Sequence, residues 1–267
     1  MDPTPQFERY VALGDSSTEG VDDPDGMGGY RGWSQRLAER IAGEQGGLLY
    51  ANLAVRGLTT REVRERQLAP ALAMRPDLAT VFCGTNDVTR AGFDADRVAD
   101  DIAQMQRTLS VSGATVLSFT LPDLTPVMPL ARLIAPRIRA LNQALLRASR
   151  DTGSILVDFA AHAVATDRRL WSEDRIHANS AGHARIAAAL AHALRLPRSD
   201  AAWMQPVPGS SELSAAAWWA AELRWTKRHL LPWLLQGLAG RSAAAGRVPK
   251  RPALAPVAIR SPAGLER

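Results

Sequence analysis

Arg9-Tyr10-Val11-Ala12-Leu13-Gly14-Asp15-Ser16 is the stretch on which the fold turns. From Arg9 to Leu13 the chain is short and apolar, and Gly14 closes it, as in a β-strand covered on both faces. Strands covered in this way belong to parallel sheets flanked by helices. Ser16 then falls on the turn leaving the strand, at the sheet edge where open α/β folds bind their ligands.

The same pattern repeats along the chain. Strands are expected at 9–13, 48–53, 78–83, 114–120 and 154–158. Helical stretches separate them: Tyr30, Trp33, Leu37 and Ile41 recur at three- and four-residue spacing, and Thr59 with Glu62 reads as a capping box. Further helices are expected near 94–111, 130–150 and 180–195. Strands alternating with helices imply a three-layer α/β/α sandwich around a parallel sheet. Five strands suggest the flavodoxin-like order 2-1-3-4-5, with the switch point beside the first strand.

Four segments that follow strands carry chemistry: Gly14-Asp15-Ser16, Asn52 to Gly57, Gly84-Thr85-Asn86-Asp87 and Asp174-Arg175-Ile176-His177. A serine hydroxyl is a weak nucleophile until a base takes its proton. His177 is the candidate base. Asp174, three residues before it, can hold the imidazole tautomer that leaves Nε2 free, which is the logic of a catalytic triad. Donors for an oxyanion are available in the backbone N–H of Ser16, the backbone N–H of Gly57 and the side-chain amide of Asn86. Asp15 and Asp87 are read as supporting carboxylates that accept loop N–H groups. Together these residues describe an acyl-transfer site.

In order and spacing, the four segments resemble the blocks of the SGNH hydrolases, also called GDSL-type esterases and lipases. The resemblance runs over roughly residues 8 to 195 and includes Gly182-His183 after the last block. It implies Ser16 as nucleophile and oxyanion donor, Gly57 and Asn86 as further donors, and Asp174 and His177 as acid and base. Ser17 stands where the family nickname expects leucine, leaving a second hydroxyl beside the first. The activity implied is cleavage of carboxylic esters through an acyl-enzyme, with no metal or organic cofactor. A thioesterase or an acyltransferase would use the same triad. A non-catalytic interaction protein would be expected to lack one of these residues, and all are present. A flavin- or nucleotide-binding module would need a phosphate-binding first loop, and that loop carries Gly14-Asp15-Ser16 instead.

Composition agrees with one large domain and an appendage: 267 residues, 46% hydrophobic, bury a full core. The expected division is a hydrolase-like domain over 1–196, a linker and Trp-rich helical extension over 197–240, and a disordered basic tail over 241–267. Ten Lys/Arg against four Asp/Glu give residues 197–267 a net +6, which leaves 22 against 23, or −1, for residues 1–196. The catalytic region is therefore neutral, and nucleic-acid binding is not indicated. Neither a secretory leader nor a run of the ~18 apolar residues needed to span a membrane is visible, so a cytoplasmic location is expected. Oligomeric state is left open.

Several motifs read more plainly than they first look. The single cysteine, Cys83, lies in an apolar run and is expected to be a packed thiol. Asp22, Asp23 and Asp25 lack calcium-loop spacing and read as a solvated turn. Gly26 to Gly32 lacks a phosphate-binding fingerprint and reads as a flexible lip over Ser16. His177, His183 and His192 lack the spacing of metal ligands on a helix, and His162 and His229 have no sequence partner. Val127, Met128, Leu130 and Leu133 are candidates for an acyl pocket or for packing that leads into a helix. Five of the seven tryptophans follow residue 197. Trp218, Trp219, Trp225 and Trp233 suit either a helix docked on the catalytic domain or one lying on a membrane surface.

Overall fold

In a computed structural model, which describes residues 5–209, 221–230 and 244–258, the opening stretch becomes strand β1 (Arg9–Gly14). Tyr10, Val11, Ala12 and Leu13 are wholly buried there. A large apolar side chain removed from water contributes about 1.5–3 kcal/mol, so this strand anchors the centre of the sheet. It pairs in parallel with β2 (Leu49–Asn52) on one side and β3 (Leu78–Phe82) on the other. Beyond β3 come β4 (Thr115–Phe119) and β5 (Ile155–Val157), also parallel. The parallel core thus has the expected order 2-1-3-4-5.

The sheet has six strands, not the five expected. β6 (Arg251–Pro256) joins antiparallel to the outer edge of β2. It lies within 241–267, the stretch expected to be disordered. Pro252 and Pro256 hid it, because proline lacks the N–H that an interior ladder needs. An edge strand tolerates proline, and there it also discourages pairing with another chain. The Arg251 guanidinium packs over the Tyr50 ring, 5.4 Å from its centroid.

The helices around the sheet are α1 (Ser16–Glu19), α2 (Gly32–Gln45), α3 (Thr60–Ala73), α4 (Thr85–Val88), α5 (Ala95–Val111), α6 (Ala135–Thr152) and α7 (Ser180–Ala193). α2 packs with α7, while α5 packs with both α3 and α6, giving the two outer layers. The Thr59–Glu62 capping box forms at the start of α3. Cys83 is buried as expected.

Of the helical extension expected between Glu212 and Gly240, residues 221–230 are described and are helical, ending in the π-turn Thr226–Leu230. Trp218, Trp219 and Trp233 lie outside the described residues. Among the described residues no helix is long and apolar enough to cross a membrane.

Candidate active site

The turn that presents Ser16 is held from inside the fold. A Cβ on Gly14 would lie 2.3 Å from the carbonyl oxygen of Phe82, so β1 can approach β3 this closely only with glycine there. The Gln67 side chain brackets the same residue, accepting from the Gly14 N–H at 2.8 Å and donating to its carbonyl at 2.9 Å. Asp15 caps α1 by accepting the Ser17 N–H at 3.2 Å. Ser16 is thereby the first residue of α1.

His177 reaches this serine from the opposite side of the edge. Its Nε2 lies 2.7 Å from Ser16 Oγ, and its Nδ1 lies 2.6 Å from Asp174 Oδ2. The other carboxylate oxygen of Asp174 accepts from the Ile176 N–H (2.9 Å), the His177 N–H (3.0 Å) and the Ser172 hydroxyl (2.6 Å). Burial pushes the Asp174 carboxyl upward, but the hydrogen bond and charge of His177, with these donors, hold it well below the usual carboxylate range. For His177, burial pulls the pKa down, and Asp174 more than offsets it, leaving a net rise. The histidine's partner is Ser16, whereas Ser17 lines the adjoining cavity.

The three donors expected for an oxyanion are placed as follows. The N–H groups of Ser16 and Gly57 have no acceptor among the described residues, the first lying in the opening turn of a helix and the second in a half-buried loop. Gly57 takes the left-handed backbone (φ +83°) that favours glycine. The amide of Asn86 is already engaged, donating to Leu58 O at 3.0 Å and to Asp15 Oδ2 at 3.2 Å. An oxyanion would have to displace the longer of these two bonds.

Asp15 and Asp87 each accept a backbone N–H, of Ser17 and of Thr60. Burial raises the Asp15 carboxyl to about 7. Asp87 Oδ2 accepts the N–H and hydroxyl of Thr60, at 2.9 and 3.0 Å, and ties the Asn86 turn to the start of α3. Burial is the largest influence on Asp87 and raises it as well.

Sequence reasoning missed the braces around these groups. Glu19, closing α1, accepts the Arg56 N–H at 2.8 Å and its guanidinium Nε at 3.1 Å, so the turn before Gly57 is fastened to the helix that carries Ser16. The Arg56 guanidinium also lies 5.0 Å from the centroid of the Tyr30 ring. The acidic turn is not uniformly solvated. Asp23 is buried and paired with Arg36 at 2.7 Å, and Asp25 accepts the N–H groups of Met27 and Gly29. Asp22, in a left-handed conformation (φ 68°), brings its carboxylate to within 4.8 Å of ligand atoms on both Asp174 and His177. The Gly26 to Gly32 segment does not line the cavity beside Ser16.

His183 serves as a strut. Its Nδ1 accepts the Trp33 N–H at 3.1 Å and its Nε2 donates to Val21 O at 3.0 Å, with burial lowering its pKa to about 4. These bonds tie α7 to α2 and to the loop after α1. His192 accepts from Trp203 Nε1 at 3.2 Å, and His162 packs edge-on against the same tryptophan, 4.7 Å between centroids.

The cavity beside Ser16 and His177 has an almost wholly apolar lining. Phe82 stacks on Phe119 at 3.7 Å, Phe119 meets Phe159 edge-on at 5.3 Å, and Phe159 meets Trp203 edge-on at 5.5 Å. All four rings border the cavity, as do Leu121, Pro122 and Leu124 from the segment after β4. Val127, Met128, Leu130 and Leu133 do not: Val127 is buried in packing, while Leu133 is largely exposed.

A parallel α/β sheet whose carboxyl edge carries a hydrogen-bonded row of serine, histidine and aspartate, with amide donors alongside, has the arrangement of the SGNH class of ester-cleaving enzymes. The GDSL-like lipase/acylhydrolase family matches residues 12–185. The chain belongs to that family. Among curated proteins, no sequence matches this one at a significant level.

Solved structures share the fold. The psychrotrophic esterase EstA from Pseudoalteromonas sp. is 19% identical, with a TM-score of 0.56 over 70% of this chain and 97% of its own. The acetylxylan esterase Axe2 from Geobacillus stearothermophilus is 18% identical, with a TM-score of 0.58 over 76% and 98%. The hydrolase LAE5 from the metagenome of Lake Arreo is 20% identical, with a TM-score of 0.59 over 70% and 95%.

Proposed function

We propose that the protein is a serine esterase that cleaves carboxylic esters with an apolar acyl group through an acyl-enzyme on Ser16. The observation that carries this reading is the continuous bridge from Asp174 through His177 to Ser16 Oγ, at 2.6 and 2.7 Å, beside an apolar cavity. Ser16 Oγ attacks the ester carbonyl carbon while His177 Nε2 takes its proton. The oxyanion is held by the N–H groups of Ser16 and Gly57 and by Asn86. As the tetrahedral intermediate collapses, the C–O bond to the alcohol breaks and His177 returns the proton to the leaving oxygen. Water then attacks the acyl-enzyme with His177 again as base, releasing the acid and restoring Ser16.

The acyl group would lie along Phe82, Phe119, Leu121 and Leu124 toward Phe159 and Trp203. Phosphonates mimic the tetrahedral intermediate, and EstA was crystallised inhibited by monoethylphosphonate. The test is intact-mass labelling with a fluorophosphonate, beside turnover of p-nitrophenyl esters of increasing length, on wild type and Ser16→Ala. The reading expects one adduct, lost in the folded variant, and turnover of at least one ester. A folded wild type with neither adduct nor turnover would overturn it, and an adduct retained on Ser17 would reassign the nucleophile.

A further inference from the structure

We propose that residues 221–230 form a clamp on the acid–base loop, with Trp225 and Glu222 as positioning residues that act through Asp174 and Arg175. The inference rests on the reading of Asp174, His177 and Ser16 as a triad. This segment lies beyond residues 12–185, which match the family, so the clamp is an addition to the shared framework.

Three consecutive loop residues are gripped by this one segment. Arg228 pairs with Glu173 at 3.1 Å, Trp225 Nε1–H donates to the Asp174 carbonyl at 3.1 Å, and Arg175 donates to Glu222 at 2.8 Å. The first pair is open to solvent on both sides and holds little. The other two are sheltered. Trp225 is buried, and the side chain of Arg175 is only 2% exposed. Its guanidinium lies 4.6 Å from the centroid of the Trp225 ring. Glu222 also accepts from Arg168 at 3.3 Å and so spans two arginines.

Arg175 explains why such a clamp is useful. Its backbone is left-handed (φ 64°), a conformation in which glycine would be unstrained and a branched chain of atoms is not. This turn brings Asp174 and His177 face to face across three residues. The peptide between Asp174 and Arg175 is its pivot, and Trp225 holds the carbonyl of that very peptide. Glu222 holds the side chain on the pivot's other side. Rotation about the pivot would carry the Asp174 carboxylate away from His177 Nδ1, so the segment fixes catalytic geometry without touching a reacting atom.

The experiment uses the full chain with three substitutions. Trp225→Phe keeps a ring for Arg175 and removes the N–H donor together with one ring of the indole. Glu222→Ala removes the anchor, and Glu222→Gln restores an oxygen acceptor. Each is measured for kcat, KM and pH profile on p-nitrophenyl butyrate, for fluorophosphonate labelling rate and for Tm. Small misplacements of a catalytic group are costly, so Trp225→Phe and Glu222→Ala are expected to lower kcat and labelling rate about ten-fold, with KM held within about two-fold. Glu222→Gln is expected to recover part of the loss. A loosened Asp174 supports less of the raised His177 pKa, so the acidic limb of the profile is expected to move to lower pH in the two impaired variants.

An active wild type, with kcat, labelling rate and acidic limb unchanged in Trp225→Phe and Glu222→Ala, would reduce the clamp to ordinary packing. A folded wild type without labelling or turnover would instead remove the triad reading, and the clamp with it. Should Glu222→Ala fail to fold, Trp225→Phe and Glu222→Gln decide the matter together, since the second keeps the side-chain volume and removes only the charge.

Discussion

Ser16 and His177 meet across 2.7 Å, yet the two sides of that contact are built by opposite means. The turn that presents Ser16, the proposed nucleophile, is fixed by the core of the sheet. Gly14 has no room for a Cβ, Gln67 brackets its peptide groups, and Arg56 and Glu19 fasten the neighbouring glycine turn. The acid–base loop is tied mainly to itself, the Ser172 N–H donating to the His177 carbonyl at 2.9 Å and the Arg175 N–H to the Ser172 carbonyl at 3.2 Å. It follows a run of short helical turns rather than a strand, and its strained arginine is gripped by a segment some 47 residues further along the chain. The Ser16 turn is thus held by the sheet and its flanking helices, whereas the His177 loop is also held by a segment beyond the residues that match the family.

The sharpest way to break this comparison is Asp174→Asn. An asparagine amide presents N–H to His177 Nδ1 and forces the tautomer that protonates Nε2, so Ser16 would face a donor instead of a base. Loss of about 10⁴ in kcat is expected on the logic of the triad. The check is steady-state turnover on a short p-nitrophenyl ester, with NMR of the imidazole to read the tautomer. Activity within ten-fold of wild type, in the presence of the switched tautomer, would show that the loop acid is dispensable.

Asn86→Ala tests the framework side and should cost less. Two backbone donors, Ser16 and Gly57, remain in place, and removal of one oxyanion donor typically costs about 10²–10³ in kcat. Part of the energy is already committed, because Asn86 must release Asp15 to serve an oxyanion. A kcat loss of that size with KM nearly constant would place Asn86 on the transition state. A change in KM alone would assign it to the shape of the loop.

These two sides were also unequally legible in the sequence. The parallel order 2-1-3-4-5 followed from short apolar runs alternating with helical periods, and the Thr59–Glu62 box marked a helix start correctly, since both signals are local. The residues of the nucleophile's edge came from motifs placed directly after strands. What stayed hidden is long-range: Gln67 reaching Gly14, Glu19 reaching Arg56, and Trp225 reaching Asp174 span separations that no local pattern encodes. β6 was hidden for a different reason, since its prolines argue against a strand unless the strand is known to lie at an edge. Of the two readings open for Val127, Met128, Leu130 and Leu133, cavity wall or packing, the sequence could not choose, because apolarity alone cannot distinguish a wall facing a cavity from one facing the core; none of the four borders the cavity.

Trp203 joins the two sides through the cavity between them. It lies beyond the family match, packs on Phe159 and borders the apolar space away from Ser16. Trp203→Leu would open that end. One methylene in an apolar pocket is worth about 10–200-fold at most, so an increase of about ten-fold in the kcat/KM ratio of octanoate to butyrate esters is expected. An unchanged ratio across the ester series would move the acyl group elsewhere.

The smallest effect separates the two sides by charge. Asp15, on the nucleophile's edge, is raised by burial to about 7 in the folded protein, against about 3.9 for an unfolded aspartate. Between those values the native state holds a proton that the unfolded state has released, so this group subtracts stability as pH rises through the window and does so in full above it. Asp174 has the opposite sign. Its folded pKa is depressed, so its contribution is present above the unfolded value and is lost as pH falls through the acidic range toward the folded one. Asp15→Asn is uncharged at every pH. Its Tm relative to wild type is therefore expected to rise by a few degrees between about pH 4 and 7 and to level off above, as the linkage requires. Asp174→Asn is expected to lose Tm at pH 7 and to converge on wild type in acid. Thermal melts of the two variants from about pH 2 to 8.5 make the comparison, the acid end reading Asp174 and the range from about 4 to 7 reading Asp15. Parallel curves would mean that burial at the nucleophile's edge carries no electrostatic cost, and that the two supports differ in architecture alone.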